Sequence, residues 1–91
     1  MENAVCKFEL TETPLQPIIM PKGSIILSVQ VQGNQPCLWA FVNTKELGHE
    51  VRNIAVVGTG HKLPEGIDPR YFLGTYQLHQ GSFVGHVFEV K

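Results

Sequence analysis

The chain has no surplus of charge of either sign, few cysteines, little that favours a helix and no long apolar run, and each shortage removes a class of function. Lys plus Arg number 7 against 8 Asp plus Glu in 91 residues, which leaves nothing to neutralise a phosphate backbone or an anionic lipid surface. Nucleic acid and membranes are therefore not expected partners. Cys6 and Cys37, the two cysteines, are too few for a secreted disulfide scaffold, and no basic and apolar leader pattern follows Met1. The expected setting is the cytoplasm, with free thiols. No apolar stretch approaches the roughly 20 residues that a membrane helix needs. The length fits one domain, residues 1–91, burying about 60–65% of the surface of its unfolded chain. Small cores of this kind are often helped by oligomerisation.

What is present reads as β-structure. Residues 4–10 alternate Ala4, Cys6, Phe8 and Leu10 with Val5, Lys7 and Glu9, the period of a half-buried strand with one wet face. Pro14 and Pro17 break the pattern, and Pro21-Lys22-Gly23 marks a turn after a short apolar piece, Ile18 to Met20, expected as a very short edge strand at most. Residues 24–32 form the clearest strand, with Ile25, Leu27, Val29 and Val31 on one face and Ser28, Gln30 and Gln32 on the other, Ile26 being the exception. Gly33-Asn34 then predicts a tight hairpin with Gly33 at positive φ.

The return strand, residues 37–42, is apolar on both faces: Cys37, Trp39 and Phe41 on one, Leu38, Ala40 and Val42 on the other. Such a strand has to be covered twice, once by the core and once by a helix, a second sheet or another subunit. Only residues 43–51 have a helix-compatible composition, and Gly48 weakens it. A strand at 53–57, an irregular loop at 62–70 containing Pro64, Gly66 and Pro69, and strands at 71–78 and 82–90 complete the pattern. About six strands with hairpin-length links predict an all-β chain, a small antiparallel barrel or sandwich with little or no helix.

The segment Gly58-Thr59-Gly60-His61-Lys62 follows an apolar strand directly, so its backbone N–H groups can approach a phosphate while Lys62 supplies charge. The spacing is that of neither a P-loop nor a dinucleotide fingerprint, because Leu63 stands where the latter needs a glycine. Arg70 and Tyr71 close the same loop and offer a bidentate cation and a stacking ring. The expected ligand-binding residues are therefore Gly58, Thr59, Gly60, His61, Lys62, Arg70 and Tyr71. His49, His61, His79 and His86 lack metal-ligand spacing, so no metal is expected. Cys6 and Cys37 alternate with apolar neighbours and read as small core residues rather than nucleophiles, and the carboxylates are scattered. No catalytic residue and no cofactor is expected.

Several stretches together, Lys7-Phe8-Glu9-Leu10, Ile26-Leu27-Ser28-Val29-Gln30-Val31-Gln32 with Pro36-Cys37-Leu38-Trp39-Ala40, Val57-Gly58-Thr59-Gly60-His61, Leu73-Gly74-Thr75-Tyr76-Gln77 and His86-Val87-Phe88-Glu89, resemble a family of short proteins of bacteriophages, prophages and bacteria known only as a domain of unknown function. The resemblance implies a viral setting in an infected bacterial host. Phage β-rich proteins of this size include immune-evasion proteins that sequester cyclic-nucleotide or ADP-ribose-type signals between subunits, an analogy of size and context. The expected function is non-enzymatic, homo-oligomeric capture of a small phosphate-bearing signal. The alternatives are a structural or protein-interaction module assembling through its apolar strands, and a signal-degrading hydrolase using His61.

Overall fold

The computed structural model describes residues 2–91, and these form seven strands. They are β1 (Asn3–Glu9), β2 (Leu15–Pro21), β3 (Ile25–Gln32), β4 (Gln35–Asn43), β5 (His49–Gly58), β6 (Phe72–Leu78) and β7 (Phe83–Val90). Single 3₁₀ turns at Pro69–Tyr71 and His79–Gly81 are the helical elements among the described residues. All pairings are antiparallel, in a three-stranded sheet ordered β1-β4-β3 and a four-stranded sheet ordered β2-β5-β7-β6. The two sheets pack as a sandwich and do not close into a barrel.

The core lies between the sheets. Leu38 on β4 sits at its centre, opposite Phe8 on β1 and Val29 on β3, and faces Ile54, Val56, Val87, Tyr76 and Leu78 of the other sheet. Each fully buried aliphatic residue here contributes about 1.5–3 kcal/mol relative to exposure. Gly74 lets the layers meet, since a Cβ there would lie 3.1 Å from Val29 of the other sheet; within the four-stranded sheet, a Cβ on Gly85 would lie 2.7 Å from the ring of its cross-strand partner Tyr76.

The sequence pattern of β3 is corrected by a bulge between Ile26 and Ser28. The extra residue changes which face each side chain takes, so Ile26 joins Val29 and Val31 at the core while Ile25 and Leu27 are turned out, at 58% and 54% exposure. The lone exception in the alternation, Ile26, was the sign of this break in phase.

Other expectations shift at their edges. The piece around Ile18 to Met20 is a full edge strand, β2, whose Pro17 and Pro21 each lack an N–H for the ladder. The helix-compatible stretch at 43–51 holds no helix: a turn, with Glu46 N–H donating to Asn43 O at 3.1 Å, leads directly into β5. The strand expected at 53–57 begins earlier, at His49, and Tyr71 belongs to a 3₁₀ turn rather than to β6. The hairpin at Gly33 is as expected, with φ 63°.

Of the two faces of β4, Leu38, Ala40 and Val42 are buried by the core. On the other face Cys37 is covered and Trp39 is half covered, its indole N–H donating to Gln30 O at 3.3 Å. Val5, Phe41 and Ile25 are in register across β1, β4 and β3 and form an open apolar row, with Phe41 39% and Val5 59% exposed.

Inside the four-stranded sheet, near the β2–β3 turn, Arg52 is tied by Glu89 through two hydrogen bonds, one of 3.0 Å, and donates to Ser24 O at 2.8 Å and Glu50 at 3.3 Å. The guanidinium holds the Glu89 carboxyl below the usual carboxylate range, against a smaller opposing effect of burial.

Candidate ligand-binding site

Strand β5 ends at Gly58 and turns at once. The His61 N–H donates back to Gly58 O at 3.2 Å, with Gly60 at φ 82°, a conformation that glycine adopts without strain. The His61 ring folds against Gly58 so closely that a Cβ there would stand 3.1 Å from it. A Cβ at Gly58 would therefore need the exposed His61 ring to give by a few tenths of an ångström.

Gly58 pairs with Gly85 on β7, so this turn lies beside the β6–β7 hairpin. That hairpin is unusual in its backbone: His79, Gln80 and Gly81 all have positive φ, at 52°, 58° and 91°. For two non-glycine residues such conformations cost on the order of 1–3 kcal/mol each, and they concentrate at functional sites. Between the two turns is a concavity of about 290 Å³ lined by Gly58, Thr59, His61, Gly81, Ser82, Phe83 and Val84. No carboxylate lines it.

A second concavity, of about 260 Å³, has both Glu9 and Glu12 in its wall, which disfavours an anion. A smaller apolar one, of about 100 Å³, is the seam where Pro64 and Ile67 lie over Leu15, Ala55 and Val90. That seam traces the course of the loop between β5 and β6, which runs over the outer face of the four-stranded sheet.

Because of this course, the seven expected ligand residues divide. Gly58, Thr59 and His61 line the concavity, Gly60 belongs to the same turn, and Lys62 follows that turn without lining the concavity. Arg70 and Tyr71 are carried to the other end of the sheet, where β6 starts opposite Phe88 and the Tyr71 ring lies 5.3 Å from Lys91 Nζ. Arg70 is also occupied, donating to Asp68 from Nε at 3.1 Å and from NH2 at 2.7 Å. This exposed pair holds the Asp68 carboxyl below the usual range.

The residues brought in from elsewhere are Ser82 and His86. His86 lies on the outer face of β7, between Val57 on β5 and Thr75 on β6. Its Nε2 is 2.7 Å from Thr59 Oγ1, and its Nδ1 is 2.9 Å from Thr75 Oγ1. A neutral imidazole has one donor and one acceptor, so one threonine accepts and the other donates. Strand periodicity placed His86 on a face with Val84 and Phe88, but the pairing of β7 with two partners decides which hydroxyls meet it.

Among the described residues no group of His, Cys, Asp and Glu is arranged to hold a metal ion. Cys37, buried beneath the outer side chains of its sheet, has its thiol pushed up by desolvation, and neither cysteine forms a disulfide. No helix among the described residues is long and apolar enough to cross a membrane. Neither a curated protein nor a solved structure matches the chain. A family model does match, over residues 1–91, and the chain belongs to the family it describes, a domain of unknown function (DUF7352).

Proposed function

We propose that this chain is a non-enzymatic binding protein that captures a small phosphate-bearing molecule of nucleotide type at the end of its four-stranded sheet. The observation that carries the reading is the concavity between residues 58–61 and 81–84, which gathers the Thr59 and Ser82 hydroxyls, the His61 ring and two glycine-bearing turns without a carboxylate. Donors in that number suit an acceptor-rich group, and hydrogen bonds to a charged partner contribute about 1.5–3 kcal/mol each. Lys62 supplies the cation. The setting implied by the resemblance is a phage acting in the cytoplasm of a bacterial host, where holding such a signal would counter defence.

At about 290 Å³ the concavity is near the lower limit of sites that enclose a small ligand, so part of the ligand would project beyond one chain. A homo-oligomer would cover that part. The test is a thermal-shift screen against nucleotide second messengers and ADP-ribose derivatives, followed by calorimetry on any hit. Lys62→Ala is expected to weaken capture by about tenfold, and Arg70→Ala to leave it unchanged, because Arg70 is paired with Asp68 away from the turn. Equal loss in both variants would move the site to the far end of the loop.

A second reading, a protein-interaction module, is favoured by the open row Val5, Phe41 and Ile25. A flat apolar face of this kind suits a second copy of the chain, since Lys7 and Glu9 stand on the same outer face of β1 and are complementary across a twofold axis. The two readings part on ligand: an assembly with no affinity for any phosphate compound supports the second alone.

A further inference from the structure

Resting on the phosphate reading of the same site, we infer that His86 is its positioning residue. It fixes the Thr59 hydroxyl so that its hydrogen points away from the imidazole and into the concavity, as a donor to a phosphoryl oxygen. Three outer-face positions, Val57, His86 and Thr75, are in register on β5, β7 and β6. His86 is clamped there at both ring nitrogens, by Thr59 one turn residue beyond β5 and by Thr75 on β6.

A hydroxyl has one hydrogen to give. If Nε2 carries the imidazole proton, it donates to Thr59 Oγ1, which leaves the Thr59 hydrogen free, while Thr75 donates its own hydrogen to Nδ1. Neutral histidine ordinarily prefers this tautomer, and the Thr75 hydroxyl, 2.9 Å from Nδ1, can meet it by donating. Of the three hydrogen-bonded side chains Thr59, His86 and Thr75, Thr59 alone lines the concavity. The free hydrogen therefore emerges at the site, beside His61 and Ser82, while His86 itself does not line it. In the opposite tautomer Thr59 would donate to Nε2 and present only lone pairs, which repel an anion.

Nitrogen NMR of the His86 ring, together with an amide-resolved titration by inorganic phosphate and by a nucleoside monophosphate, tests this. In the free protein the ring is expected as the Nε2–H tautomer, and a dominant Nδ1–H tautomer would overturn the inference whatever the ligand does. In the titration, the Gly58–His61 and Gly81–Val84 amides are expected to shift. Thr59→Val, which removes the hydroxyl at nearly constant shape, is expected to weaken that response by about tenfold with the melting temperature almost unchanged. Thr75→Val, which removes the hydroxyl that donates to Nδ1, is expected to weaken it less and to move the unprotonated Nδ1 resonance to higher shift, a change that a merely structural role would not produce. A parent protein that responds to neither probe would overturn the phosphate reading itself. A parent that responds and a Thr59→Val variant that responds equally would overturn only the role given to Thr59 and His86.

Discussion

At the scale of single residues, a few positions carry more constraint than their size suggests. Gln16 is buried although polar, because its side-chain amide meets three backbone groups of the β1–β2 connection: it donates to Thr11 O and Thr13 O and accepts from Thr11 N–H, at 2.8–2.9 Å. Gly33 and Gly85 illustrate two different reasons for glycine. Gly33 has open space around its missing Cβ but φ 63°, so Gly33→Val is expected to destabilise by about 1–2 kcal/mol through backbone strain alone. Gly85 needs no unusual φ, yet a Cβ would press on the Tyr76 ring at 2.7 Å. Gly85→Ala is expected to cost about 1–3 kcal/mol by overpacking, and urea denaturation measures both.

Glu89 and Arg52 give the pH dependence at this scale. The native carboxyl of Glu89 titrates below its unfolded value because Arg52 hydrogen-bonds it. A depressed carboxylate contributes stability that is present above the unfolded pKa, about 4.3 for Glu, and is lost as pH falls through the native value. Urea midpoints are thus expected to hold from pH 7 to about pH 5 and to fall below it. In Glu89→Gln that part of the acid sensitivity is expected to disappear, along with some stability at neutral pH. An identical acid limb in parent and variant would count against the pair. Because both side chains are almost fully buried, at 13% and 9% exposure, removing one partner entirely, as in Glu89→Ala, is expected to cost about 3 kcal/mol or more.

At the scale of elements, what the sequence displayed was period, and what it concealed was partners. The alternation of residues 4–10 and the Gly33-Asn34 turn placed β1 and the β3–β4 hairpin almost to the residue, because a half-buried strand writes its own burial into its side chains. β2 was legible only in part, since an edge strand with two prolines violates strand composition while keeping strand geometry. The bulge in β3 hid the exposure of Ile25 and Leu27, because one inserted residue reverses the phase of everything before it.

The concavity was legible at one end only. Gly58, Thr59 and His61 stand within four residues and were found as a motif, whereas Ser82 and His86 reach them through strand pairing, which a single sequence does not display. Arg70 closes the same loop in the sequence, yet the loop spans the length of the sheet and carries it to the other end. The apolar row on β1, β4 and β3 has its own consequence. Large exposed apolar patches are unusual on monomers, so light scattering at micromolar concentration is expected to show self-association, and Phe41→Glu to abolish it with the fold intact by circular dichroism. A parent protein that is already monomeric would contradict this.

At the scale of the molecule, the sandwich separates its parts. One outer face, on the three-stranded sheet, offers an assembly surface, and one end of the four-stranded sheet offers the proposed site, with the Leu38-centred core between them. The most direct measurement mixes the protein with any compound that raises its melting temperature, then denatures the complex and quantifies what is released. Capture at a hundredfold excess over Kd stabilises the fold by about 2.7 kcal/mol, on the order of 10 °C or more for a chain of this size. That shift is expected, together with the return of the compound unchanged, in stoichiometric amount, after prolonged incubation. A compound returned as a cleaved or rearranged product would contradict capture without conversion and make His61 a catalytic group instead.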